Sequence, residues 1–231
     1  MAVYADREEA GWLLAVRLAR LRDEHPVVVG LARGGVPVAF EVACALGAPL
    51  DVLVVRKLGV PAQPELAMGA ISEGGVRVLD EAILRMAAVT DAELEAVEER
   101  ERALLEARAA RFRAVRPRAE LSGRLVVVVD DGVATGATAR AACRVVRDAG
   151  AVRVVLAVPV APSGWEAAVG AAADELVCLQ TPRWFFAVGQ FYEEFPQVGD
   201  GEVVDYLERA ARCGPSTGAA ARARRGPSAL P

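Results

Sequence analysis

Apolar residues along the chain follow two spacings, one typical of buried strands and one typical of the helices that cover them. Leu125–Val129 is an uninterrupted apolar run with valine at four of its five positions. Such a run predicts a strand that is buried on both faces, as strands of parallel sheets are. Comparable runs predict further strands at 26–31, 50–55, 152–160 and 175–179.

Between these strands, apolar residues recur three and four positions apart, which predicts helices. The predicted helices cover 7–23, 36–46, 164–172 and 200–211, and one more follows the central run and ends near Gly150. A long helical region spans 81–116, within which Thr90 or Asp91 can cap a helix, and a turn sequence at 73–75 predicts a hairpin over 65–79. The alternation predicts an α/β fold, in which a doubly wound, mostly parallel sheet is flanked by helices.

The composition narrows the classes of protein that fit. The chain has 231 residues, 54% of them hydrophobic, and a net charge of -4, so we expect neither a nucleic-acid partner nor a membrane-crossing segment. His25 is the single histidine, which argues against sites that need several histidines. The four cysteines form no C-x-x-C pair, and we expect them to stay reduced in a cytoplasmic protein, with Cys44 and Cys143 as small core residues.

Two carboxylates and a loop of small residues follow the central strand. Asp130 and Asp131 come first, and the loop then runs through Gly132, Val133, Ala134, Thr135, Gly136, Ala137 and Thr138. A loop of small residues lets backbone N–H groups approach a phosphate, and the helix after it directs the positive end of its dipole at the same anion. The carboxylates repel a phosphate, so they suit the hydroxyls of a sugar or a metal ion beside it. The pattern therefore predicts a sugar-phosphate site.

The stretch VVVVDDGVATGAT resembles the signature of the type I phosphoribosyltransferases. The resemblance implies that 132–138 bind the 5-phosphate of phosphoribosyl pyrophosphate, and that Asp130 and Asp131 hold the ribose hydroxyls directly or through Mg2+. It also implies transfer of phosphoribose to a nucleobase-like or other small acceptor, with release of pyrophosphate. The catalytic residues implied in this way are Asp130, Asp131, Arg33 and Lys57.

Two further turns resemble the parts of this family that hold the pyrophosphate. The first, ARGG, follows the predicted strand 26–31 and leads into a helix, where backbone N–H groups and one guanidinium can bind an anion. The second, RKLG, is expected to end the strand 50–55 at the carboxyl edge of the sheet, ahead of a flexible loop that begins at 59–64. The residues implied for the pyrophosphate are Ala32, Arg33, Gly34, Gly35, Arg56 and Lys57.

The resemblance also implies a small hood over the site, built from about 58–80 and 181–196. The second of these segments is rich in aromatic residues, and Trp184 or Phe185 is the candidate to stack on a flat acceptor. The same segment could instead seal the edge of the sheet. Ala134 stands where the hypoxanthine–guanine branch has an aspartate for the acceptor proton, so the acceptor stays open. The whole pattern is most similar to a group of bacterial predicted phosphoribosyltransferases.

Residues 1–212 are expected to form this domain. The region 81–116 is expected to be an arm that is partly solvated or contacts a second subunit of a homodimer, and 213–231 a disordered tail. Two other functions also fit. A regulator could keep the fold and sense phosphoribosyl pyrophosphate or nucleotides, and a different α/β enzyme could act on another sugar phosphate. Retention of Arg33, Lys57 and both aspartates favours the transferase.

Overall fold

Five parallel strands form the central sheet of the protein, whose computed structural model describes residues 3–213. In chain order the strands are β1 (Val27–Leu31), β2 (Leu50–Leu53), β6 (Leu125–Val129), β7 (Arg153–Val160) and β8 (Glu175–Gln180), and across the sheet they run β2-β1-β6-β7-β8. Every residue of β1, β2 and β6 is buried, as the apolar runs predict. The predicted parallel sheet is confirmed, although its second strand ends at Leu53 rather than at position 55.

Helices cover both faces of this sheet, which confirms the doubly wound arrangement. One face carries α1 (Arg7–Leu18), α2 (Gly35–Leu46) and α7 (Asp200–Ala210), and the other carries α5 (Ala137–Asp148) and α6 (Trp165–Val169). Each face of the sheet has its own hydrophobic core, and successive strand residues point alternately into one and the other. Val127 packs in the core under α1, α2 and α7, and Val128 packs in the core under α5 and α6. The pleat of a strand imposes this alternation, because successive side chains point to opposite faces.

A separate antiparallel sheet lies beside the main one and consists of β3 (Val55–Val60), β4 (Gln63–Ser72) and β5 (Arg77–Leu79). The predicted hairpin over 65–79 is confirmed, with its turn at 73–75. One other prediction was wrong. Arg56 and Lys57 do not end a parallel strand, because they lie on β3, which pairs with β4 through a tight turn at 61–62. Residues 59–64 thus belong to a hairpin, and their flexibility stays a prediction. The chain leaves the main sheet at Val54, between β2 and β3.

The predicted long helical region is two helices, α3 (Glu81–Met86) and α4 (Asp91–Val115). Thr90 caps the second one in a reciprocal capping box with Glu93, as its place in the sequence predicts. At 25 residues α4 is the longest helix that the structure describes, and neither it nor another helix within 3–213 is long and apolar enough to cross a membrane.

The arm formed by α4 is packed against the domain along one face. Phe112 is fully buried in the core, and Arg113 donates to Asp51 Oδ1 at 2.6 Å, to Val52 O at 2.6 Å and to both carboxylate oxygens of Glu73. Asp51 lies on β2 and Glu73 lies in the turn between β4 and β5, so one guanidinium joins the arm to both sheets. A partly buried arginine that binds the buried carboxylates of Asp51 and Glu73 fixes the position of the second sheet relative to the first.

Cys44 and Cys213 form a disulfide, with their Cα atoms 5.5 Å apart. The expectation that all four cysteines stay reduced was therefore wrong for this pair, whereas Cys143 and Cys178 are free. The partners are 169 residues apart in sequence. They meet because α7 packs against α2, in which Cys44 lies near the C-terminal end, and Cys213 follows α7. Cys213 is thus anchored rather than part of a tail, and the rest of the predicted tail, 214–231, lies outside the described residues.

Candidate functional site

The loop of small residues joins the carboxyl end of β6 to the amino end of α5. Val133 is buried and its N–H donates to Val160 O at 2.9 Å, which fastens the start of the loop to the neighbouring strand. Gly136 has φ of 78°, a conformation that other residues adopt with strain, and α5 begins at the next residue. Ala134, Thr135 and Thr138 are exposed. The loop therefore presents hydroxyls and the unpaired amides of a helix start to solvent, as an anion site requires.

The turn after β1 lies directly against the acidic pair. A Cβ atom on Gly34 would lie 2.8 Å from Asp131 Cγ, and one on Gly35 would lie 3.0 Å from Asp130 Oδ1 and 2.6 Å from Val129 O. The peptide bond between Ala32 and Arg33 is cis. The two turns come together because β1 and β6 are neighbours in the parallel sheet and end at the same edge. The structure thus unites three of the predicted parts: the turn 32–35, the carboxylates and the loop 132–138.

The acidic pair is partly buried, and Arg7 forms an ion pair with one of its two carboxylates. Burial, together with the charge of Asp131, raises the pKa of Asp130 well above its ordinary value. Burial also raises the pKa of Asp131, and Arg7 opposes that rise. Asp131 N–H donates to Asp130 Oδ1 at 2.9 Å. Two adjacent, partly buried carboxylates, of which one has a cationic partner, favour a ligand that brings hydroxyl donors or a metal ion.

Arg7 is a residue of this site that sequence reasoning missed. Its Nε donates to Asp131 Oδ2 at 2.8 Å, its Nη1 donates to Pro196 O at 2.8 Å, and its guanidinium lies 3.7 Å from the centre of the Phe195 ring. The side chain is buried, at 8% exposure. No local signal marks it, because it appears in the sequence as one more charged residue of the first helix, and 124 positions separate it from Asp131.

The aromatic segment 181–196 packs against the site through residues other than those predicted. Tyr192 donates its hydroxyl hydrogen to Asp131 O at 2.6 Å, and Val188 lies against Gly132. Trp184 is 71% exposed, and Phe185 packs on Phe191 with ring centres 5.4 Å apart. The assignment of Trp184 or Phe185 to an acceptor stays a prediction. The contacts show that the segment also packs against the start of the loop 132–138.

The other predicted cations have carboxylate partners of their own. Arg33 lies in the turn and faces Asp200 at 3.7 Å. Arg56 donates through its Nε to Glu101 at 2.9 Å, and Lys57 pairs with Glu65 at 3.2 Å, both from strand β3. Arg33 is therefore the cation that the turn itself contributes, whereas Arg56 and Lys57 belong to the second sheet.

The carboxylates of the site suit a magnesium ion that arrives with a ligand. Within residues 3–213, no group of three or more His, Cys, Asp or Glu side chains is arranged to hold a metal. Mg2+ is commonly held by one or two carboxylates together with substrate phosphates and water. Asp130 and Asp131 provide that number, and their raised pKa values show that additional positive charge would stabilise their ionised forms.

Comparison with known proteins places the chain in a family. The family model described as "Phosphoribosyl transferase domain" matches residues 9–196, and the chain belongs to the phosphoribosyl transferase family. A Mycobacterium tuberculosis (strain ATCC 25618 / H37Rv) protein named "Putative phosphoribosyl transferase Rv0571c" is 58% identical over 212 residues, which are 92% of this chain and 48% of that protein. The chain thus spans about half the length of this curated relative.

A solved structure supports the same placement. The protein TT1426 from Thermus thermophilus is 50% identical to this chain, and the match covers 90% of this chain and 99% of that one, with a TM-score of 0.80. At this similarity the arrangement of the main sheet and its helices is shared. The relatives fix the family and leave the activity and the substrates to be inferred from the site.

Proposed function

We propose that this protein transfers the 5-phosphoribosyl group of phosphoribosyl pyrophosphate to a nucleobase-like or other small acceptor, with Mg2+ and release of pyrophosphate. The observation that carries the proposal is the contact of Gly34 and Gly35 with Asp131 and Asp130. A site for an anion and a site for hydroxyls are thereby adjacent, with a second anion site in the loop 132–138. Phosphoribosyl pyrophosphate has the matching groups, since its ribose hydroxyls lie between a phosphate and a pyrophosphate.

Each part of the site has a role in this reaction. The loop amides, Thr135 and Thr138 bind the 5-phosphate, and the amino end of α5 adds a favourable dipole. Asp130 and Asp131 accept hydrogen bonds from the ribose hydroxyls. The turn 32–35 and Arg33 bind the pyrophosphate, whose bond to ribose C1 breaks with the electron pair leaving on oxygen. A nucleophilic atom of the acceptor forms the new bond to C1 through a transition state with oxocarbenium character.

Charge neutralisation decides how easily the pyrophosphate leaves. Mg2+ bound to the pyrophosphate and to Asp130 or Asp131 would stabilise the negative charge that develops on the leaving oxygens. Arg7 favours the ionised form of Asp131, against the effect of burial, and fixes its orientation through a 2.8 Å hydrogen bond. Tyr192 holds the backbone of the same residue. The carboxylate is thus oriented before the ligand arrives, which lowers the cost of ordering it on binding.

Isothermal titration with phosphoribosyl pyrophosphate, with and without Mg2+, tests the proposal. We expect binding that Mg2+ strengthens and that an Asp130→Asn/Asp131→Asn variant weakens by at least about tenfold, because two charge-assisted hydrogen bonds are lost. A double variant of exposed aspartates, Asp23→Asn/Asp148→Asn, removes the same charge elsewhere and should bind as the wild type does. No binding by the folded wild-type protein would refute the proposal.

Pyrophosphate release then separates a transferase from a sensor. The protein is incubated with phosphoribosyl pyrophosphate, Mg2+ and a panel of purine, pyrimidine and other small nitrogenous acceptors. A transferase releases pyrophosphate when the right acceptor is present, and Asp130→Asn/Asp131→Asn abolishes that release. Tight binding with no release for any acceptor would favour a regulator that senses the same ligand.

A further inference from the structure

Three arginines converge on one carboxylate beside the turn 32–35. Asp200, the first residue of α7, lies 3.7 Å from Arg33 Nη1, 3.2 Å from Arg108 Nε and 3.7 Å from Arg111 Nη1. Arg108 and Arg111 lie on one side of α4, because residues three apart on a helix are neighbours. The four groups together carry three positive charges and one negative charge, a net charge of +2.

The contacts in this cluster are close but do not form hydrogen bonds. Arg108 Nε and Asp200 Oδ1 are both buried atoms, and neither has a hydrogen-bond partner in the described structure. Buried polar atoms of native proteins are nearly always paired, so an unpaired donor and an unpaired acceptor 3.2 Å apart indicate a site whose proper partner is another group. A guanidinium is suited to the oxygens of a phosphate, which it binds in a fork.

The cluster is continuous with the pyrophosphate turn. Arg33 Nη1 and Arg108 Nε both lie within 4 Å of the same Asp200 oxygen, so the two nitrogens are at most about 7 Å apart. The side chains of Arg33, Arg108 and Asp200 are each between one fifth and three tenths exposed, whereas Arg111 is 70% exposed. A diphosphate extends over a comparable distance, so it can contact Arg33 and Arg108 at once.

We infer that Arg108 binds the pyrophosphate group together with Arg33, and that Asp200 occupies this anion site in the empty protein until the ligand displaces it. The inference rests on the proposed function for the source of the anion, the pyrophosphate of the donor. Asp200 acts as an internal competitor, because its carboxylate neutralises the arginines only while no phosphate is present. Rotation of the Asp200 side chain away from the arginines is enough to make them accessible to the ligand.

Titration of the full chain with inorganic pyrophosphate and Mg2+ tests this assignment. Asp200→Asn should tighten binding by about threefold to tenfold, because it removes a partly exposed competing charge. Arg108→Gln should weaken binding by about tenfold, because it removes a charge-assisted contact. If Asp200 only holds the arginines in place, Asp200→Asn should weaken pyrophosphate binding instead of tightening it. Weaker or unchanged binding by Asp200→Asn would therefore overturn the inference.

Matched controls come from the same two helices. Asp205→Asn lies on an exposed part of α7, and Arg102→Gln lies on α4, where Arg102 pairs with Glu98. Both should bind pyrophosphate within about twofold of the wild type, since neither touches the cluster. Thermal melting of all four variants identifies any that fail to fold. An Arg108→Gln variant that folds and binds pyrophosphate normally would also overturn the assignment.

A competition experiment tests whether free pyrophosphate and the pyrophosphate group of phosphoribosyl pyrophosphate bind at the same site. Saturating pyrophosphate should raise the apparent dissociation constant of phosphoribosyl pyrophosphate, because both ligands use Arg33 and Arg108. Simultaneous binding of the two ligands without competition would overturn the inference. If the wild type binds pyrophosphate with the expected variant pattern but never binds phosphoribosyl pyrophosphate, the proposed function fails while the anion site stands.

Discussion

Replacing Gly34 with alanine tests whether the turn 32–35 and the acidic pair form one site. The backbone at this position has φ of -59° and ψ of -32°, which alanine adopts without strain. The effect of the substitution is therefore purely steric. The added methyl group would lie 2.8 Å from Asp131 Cγ and closer still to Oδ2 of the same carboxylate. The carboxylate would therefore have to shift, which disturbs the hydrogen bond that this oxygen accepts from Arg7.

Two magnitudes follow from that geometry. The free energy of unfolding should fall by about 1–3 kcal/mol, the usual cost of overpacking a filled site. For a domain of this size, the melting temperature should drop by about 2–4 °C for each kcal/mol. Affinity for phosphoribosyl pyrophosphate should fall by about tenfold or more, because a displaced Asp131 loses its charge-assisted contact with a ribose hydroxyl.

Urea denaturation and isothermal titration measure the two effects separately. Gly201→Ala is the matched control, because a Cβ atom at that helical position meets nothing within 4 Å in the described part of the chain. It should be neutral or slightly stabilising. If Gly34→Ala melts and binds as the wild type does, the turn does not contact Asp131 in solution, and the geometry from which we derived the proposed function is wrong.

Three further predictions concern the charges and the disulfide. Because the folded-state pKa of Asp130 is raised, stability should fall as the pH rises from about 4 through that pKa, and Asp130→Asn should raise the melting temperature more at about pH 8 than at about pH 5. Arg7→Gln should cost about 2–4 kcal/mol of unfolding free energy, since it leaves Asp131, whose side chain is only 15% exposed, without a counter-charge. Urea denaturation should show a smaller loss at about pH 5, where Asp131 is more easily protonated. Thiol titration of the denatured, unreduced protein should find only the two free cysteines, and removing the Cys44–Cys213 bond should cost about 2–5 kcal/mol in a denaturation experiment.

Each of these predictions has its own control. An Asp148→Asn variant, at an exposed position, should show no pH-dependent gain over the wild type, and a constant gain for Asp130→Asn at every pH would contradict the assigned pKa shift. Arg17→Gln, on the exposed face of α1, should change stability by no more than about 0.5 kcal/mol. Four reactive thiols without reduction would show that Cys44 and Cys213 are not bonded.

Local patterns were enough to predict the framework of the domain. The valine-rich runs specified buried parallel strands, because only a sheet covered on both faces has no polar side along its strands. Thr90 and the turn at 73–75 were located by their own side-chain and backbone chemistry. Asp130, Asp131 and the loop after them could be found as a candidate site because strand, carboxylates and loop are contiguous in the chain.

Local patterns failed where a strand changes sheets. Residues 50–60 are apolar or amphipathic almost throughout, so nothing local separates β2 from β3. The break at Val54 is decided by pairing of β3 with β4 and by Arg113, which joins β2 to the second sheet. This is why Arg56 and Lys57 were assigned to the wrong sheet.

The sequence by itself determined the parallel sheet, its flanking helices, and the carboxylates and small-residue loop at the end of the central strand. Only the tertiary structure decided the partners of that site. Arg7 reaches Asp131 across 124 positions, and Cys44 reaches Cys213 across 169. The physical reason is one of range: strand periodicity, helix periodicity and caps act between residues a few positions apart, whereas ion pairs and disulfides form wherever packing brings two side chains together.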